Sequence, residues 1–155
     1  MLVRPALAVA AMAGGTLLVV GDLSSIRIID VGTSTLTEVN AGTEDSYLAA
    51  LMGVVVAPLA LAAFRSHRLA MTGLVLIAVL ALALVGYDLS HIHDVGLLAA
   101  RYENVRAHAG PALTLQLIGS LLVLTSGWCQ LVWSHRRPVR QPAAALAAPG
   151  TSLHR

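Results

Sequence analysis

Lysine is absent from this chain, cysteine and phenylalanine occur once each, tryptophan twice, and charged residues make up only 12% of the sequence. About a quarter of the residues in an ordinary soluble domain are charged. So low a share, beside 57% hydrophobic residues, excludes water as the main solvent of the fold. A single cysteine excludes an intramolecular disulfide, and Cys129 lies deep in an apolar run, where it reads as a small buried residue. The net charge of +2 does not indicate a nucleic-acid partner, because the basic residues are spread along the chain in a way that sorts them by side of a membrane. All ten of them are arginine, and Ala, Leu and Val dominate the rest, the composition of a GC-rich bacterial genome.

Four long apolar runs are present, over about residues 5–21, 47–64, 69–87 and 112–133, and none contains Asp, Glu, Lys, Arg or His. A helix crosses a hydrocarbon core of about 30 Å with about 20 apolar residues. Unbroken runs rather than alternating ones favour helices over a closed barrel, since each segment must satisfy its own backbone in lipid. The expected fold is an all-α membrane protein, a four-transmembrane-helix bundle over residues 1–137, followed by a disordered tail at 138–155. Read alone, the first run also fits a secretory signal peptide, with Arg4 before it and small residues such as Ala11, Ala13 and Gly21 within it.

Arginine placement sets the orientation. Arg4, Arg65, Arg68, Arg136, Arg137, Arg140 and Arg155 fall on one side of the four runs, against Arg27, Arg101 and Arg106 on the other. The richer side is expected to be cytoplasmic. Both termini then lie in the cytoplasm of a plasma-membrane protein, and residues 22–46 and 88–111 form outer loops. All eight acidic residues fall in those two loops. Tyr47 and Tyr87 mark the outer ends of their spans, Phe64 and Trp133 the inner ends, as interfacial aromatic residues do. The link Arg65-Ser66-His67-Arg68 is short enough to make the second and third spans an antiparallel hairpin.

The first outer loop carries Ile26, Ile28 and Val31, a Gly-Thr-Ser-Thr patch, then Leu36, Thr37, Glu38 and Val39, which predicts a short extracytoplasmic β-hairpin. Thr43 or Ser46 is expected to cap the second helix. In the second loop, Ile92, Val95, Ala99, Tyr102 and Val105 recur at three- and four-residue spacing and predict an amphipathic surface helix. Pro58 interrupts the second span and is expected to kink it.

The residue types that carry chemistry gather in the second loop. His91, His93, Asp94 and His108 are the candidate ligands for a divalent metal, with Asp88 and Glu103 nearby. If the segment is helical, His91 and His93 point to opposite sides of it, at about 100° per residue, so both cannot reach one ion. His91 with Asp88 or Asp94 is the one acid–base pairing available for catalysis. The absence of ionisable residues from the spans counts against a transporter or proton pathway. Gln116, Thr125, Ser126 and Gln130 of the fourth span are expected to hydrogen-bond between helices. Gly53 and Ala57 form a small-xxx-small pair, and Gly119 and Gly127 repeat along the fourth helix, so these four are the candidate helix-packing positions.

The four-span layout, the Gly-Thr-Glu-Asp approach at 42–45 and the Ala-Gly-Pro-Ala-Leu-Thr-Leu-Gln-Leu-Ile-Gly entry at 109–119 resemble small actinobacterial tetraspan proteins. The nearest named group is the tryptophan-biosynthesis-associated membrane proteins. The resemblance implies a membrane location and assigns no functional residue. Claudin-like tetraspans share the layout, but residues 22–46 lack their tryptophan motif and paired cysteines. The expected function is non-enzymatic: an accessory subunit in the lipid bilayer that meets another membrane protein or its own copies, without a cofactor. In that reading, bulk at Gly119 or Gly127 disrupts assembly. The alternative is an extracytoplasmic metal- or ligand-binding protein built on the 88–108 loop.

Overall fold

The computed structural model describes residues 3–31, 34–40, 47–65, 67–92 and 105–135. The order is α1 (Val3–Asp22), β1 (Ser25–Val31), β2 (Ser34–Asn40), α2 (Leu48–Phe64), α3 (Arg68–His91), β3 (Val105–Ala109) and α4 (Pro111–His135). The chain is mostly helical, and α1, α3 and α4 are each long and apolar enough to cross a membrane. α2 is equally apolar but has 17 residues, a length of about 25 Å. It runs unbroken through Pro58. The expected tail at 138–155 lies outside the described residues.

α1 packs against α2 and α4, and α3 packs against the same two, so the helices form a ring in chain order with α1 and α3 on one diagonal. Neighbours run antiparallel: Gly14 meets Gly119 while Gly21, further along α1, meets Gln116, earlier in α4. Small residues make the centre. Ala11, Val56, Ala60, Ala63, Ala70, Met71, Leu74, Ala78 and Val123 form one buried cluster drawn from all four helices. The turn after α2 is tight, with the His67 N–H donating to the Ala62 carbonyl and the His67 carbonyl accepting from Ala70 and Met71.

One end of the bundle is capped by an antiparallel sheet in the order β2-β1-β3. The expected hairpin forms, with irregularities between Ser25 and Arg27 and between Ile29 and Asp30. Its third strand is a correction to the expected surface helix. Residues 88–91 complete α3, and Val105–Ala109 pair with β1 in a regular register from Arg27↔Ala109 to Val31↔Val105. Pairing outweighs the helical spacing because the second edge of β1 would otherwise leave a row of backbone donors and acceptors without partners. The other residues of that expected helix, 93–104, lie outside the described set.

Sheet and bundle share a second buried cluster: Ile26 of β1, Val85 and Ile92 at the end of α3, and Ala112 and Leu113 at the start of α4, with Val39 against it. Gly110 makes this junction possible. Its N–H donates to the Ile26 carbonyl at 2.8 Å, and a Cβ there would collide with the Ser25 backbone. Pro111 then opens α4 at the first helical position, where a missing N–H costs nothing.

Candidate functional site

Glycines set how closely the helices approach. A Cβ on Gly14 would lie 2.6 Å from the Gly119 carbonyl oxygen, and one on Gly15 would lie 2.8 Å from that of Gly53. Consecutive residues of a helix point about 100° apart. Gly14 therefore serves α4 and Gly15 serves α2, the two neighbours of α1. Of the four packing positions expected from sequence, Gly53 faces α1, Gly119 faces α1, and Gly127 faces Leu74 and Val75 of α3. Ala57 is exposed, and the buried stripe of α2 continues instead through Val56, Ala60 and Ala63. These glycines are used inside the chain, so bulk at Gly119 or Gly127 tests the fold before it tests any assembly.

Beneath the sheet lies a polar layer. Asp22, the last residue of α1, is fully buried rather than in an outer loop. Its Oδ2 accepts a hydrogen bond of 2.9 Å from the Ala50 N–H, while Oδ1 has no partner among the described residues. Gln116 of α4 is also fully buried, and neither end of its amide has a partner among the described residues. It packs against Gly21, beside Asp22. Asp88 is buried about one turn from Val85 and Ile92, which pack against the start of α4.

The hydroxyls of the helices turn back on their own backbone. Thr16 donates to Met12, Thr72 to Arg68, Ser120 to Leu117, Thr125 to Leu121 and Ser126 to Val123. Thr125 and Ser126 thus bond within α4 rather than between helices, the back-bonding that a short hydroxyl side chain makes in a helix.

The histidines separate. His91 ends α3 with its ring tilted over Tyr87, the centroids 4.4 Å apart, and its Nδ1 lies 3.0 Å from the Tyr87 carbonyl oxygen. The His91 carbonyl accepts from the Arg27 guanidinium at 3.3 Å, which ties α3 to β1. His108 of β3 pairs across the sheet with Asp30, Nδ1 to Oδ2 at 3.5 Å. The two are diagonal neighbours, since Ile28 faces His108 and Asp30 faces Arg106 in the register. His93 and Asp94 lie outside the described residues. Among the described residues no group of three or more His, Cys, Asp or Glu side chains could hold a metal ion.

At the end of the bundle opposite the sheet, α1 and α4 line an open groove of about 680 Å³, formed by Val3, Leu7, Trp128, Cys129, Val132 and Trp133. Cys129 is exposed there, not buried as its apolar surroundings in sequence suggest. The groove begins where glycines give way to larger side chains. Gly14 and Gly21 hold α1 against α4, but one turn and two turns before Ala11 the α1 residues are Leu7 and Val3.

Sequence patterns did not reveal Gly14, Gly15 and Asp22. The Gly-Gly pair was the available signal for two close crossings, and no local pattern identifies Asp22 as the partner of a helix that starts 26 residues later. Comparison of the chain with protein-family models and with curated proteins gives no match.

Proposed function

We propose that this chain is a multi-pass plasma-membrane protein with four spans, the sheet outside, both termini in the cytoplasm, and an accessory role exerted by contact with another membrane protein or with its own copies. One observation carries the reading: Asp22, Asp88, Gln116, Ser120, Ser126 and Gln130 of the helices are buried within the fold while the outward faces are largely apolar. Leu51, Val54, Val55 and Leu61 of α2 and Leu69, Leu76, Val79 and Leu80 of α3 are exposed. Such faces are stable against lipid tails or other helices and unstable against water. In that frame α2 is a short span, accommodated by local thinning of the bilayer. The resemblance to small actinobacterial tetraspan proteins points to the same location.

His91 and His108, the described members of the metal alternative, are both engaged in contacts with neighbouring groups, which favours the contact reading. The test is purification from the native membrane in mild detergent, followed by mass spectrometry and metal analysis. A stoichiometric protein partner without metal is expected. A chain that purifies alone with one equivalent of divalent metal would overturn the proposal.

A further inference from the structure

We draw no further inference here: the strongest candidate, the open apolar groove between the start of α1 and the end of α4 that Trp128 and Trp133 line, is an unpartnered face, and nothing in the structure shows what covers it.

Discussion

The Asp22 carboxylate at the end of α1 accepts a hydrogen bond of 2.9 Å from the Ala50 N–H in the first turn of α2. A helix begins with N–H groups that have no partner inside the helix. In α2 the residue at the cap position, Tyr47, is left-handed at φ 60° and makes no side-chain cap bond. Asp22 supplies the acceptor from a different helix, and its position at the positive end of the α2 dipole adds to the effect.

Asp22→Ala should therefore lower thermal stability in detergent by about 0.5–2 kcal/mol, the usual worth of a cap. Asp22→Asn keeps a carbonyl acceptor and should retain most of it. Equal loss in the two variants would show that charge, not the hydrogen bond, is what α2 uses.

At the Gly14–Gly119 crossing, Gly119→Ala would set a Cβ 2.7 Å from the Gly14 carbonyl oxygen. Overpacking of this kind costs about 1–3 kcal/mol. Gly86 is the control, since nothing lies within 4 Å of a Cβ there. Gly86→Ala should be neutral or stabilising by about 0.5–1 kcal/mol through helix propensity. Thermal unfolding of both variants measures the contrast, and similar melting temperatures would count against the crossing.

Gln116 is buried with both ends of its amide lacking partners among the described residues. Gln116→Met keeps the length of the side chain and removes the buried polar atoms, each of which costs about 1–3 kcal/mol when left unsatisfied. The variant should unfold at a higher temperature than the wild type. A lower one would mean that the amide is satisfied in the membrane by water or by residues outside the described set.

The helices were legible in sequence because apolar runs free of charge need no knowledge of tertiary contacts. The hairpin was legible too, from β-branched residues around a turn between Ile26 and Val39. β3 was not, because Val105–Ala109 is a strand through its pairing with β1 and not through its own periodicity. Packing was half legible. Gly53, Gly119 and Gly127 were identified, but the neighbour each one serves depends on helix rotation, and Gly119 and Gly127 turn out to serve α1 and α3 respectively. Asp22 read as one more loop acid because its partner, Ala50, carries no side-chain signal at all.

Chelator and added zinc should leave the melting temperature unchanged, as should His91→Ala. His108→Ala removes a surface contact with Asp30, worth about 0–1 kcal/mol. A zinc-dependent rise in stability that both variants abolish would restore the metal reading.

Orientation is open to a direct assay. Ser34 is exposed on the sheet, and Cys129→Ala leaves no other cysteine. Ser34→Cys in that background should react with a membrane-impermeant maleimide in intact cells. Reaction only after the cells are opened would place the sheet in the cytoplasm.

The pairing of β1 with β3 joins Arg27 to Ala109 across roughly eighty residues of chain. During synthesis β1 and β2 emerge early, whereas the strand that closes the sheet arrives only after α2 and α3 have been made. Contacts so distant in sequence form late. For that interval one edge of β1 stays open, and an open edge is where chains pair wrongly. Completion of the sheet thus waits on synthesis past residue 109, and a chain stalled before residue 105 would present an adhesive strand to its neighbours.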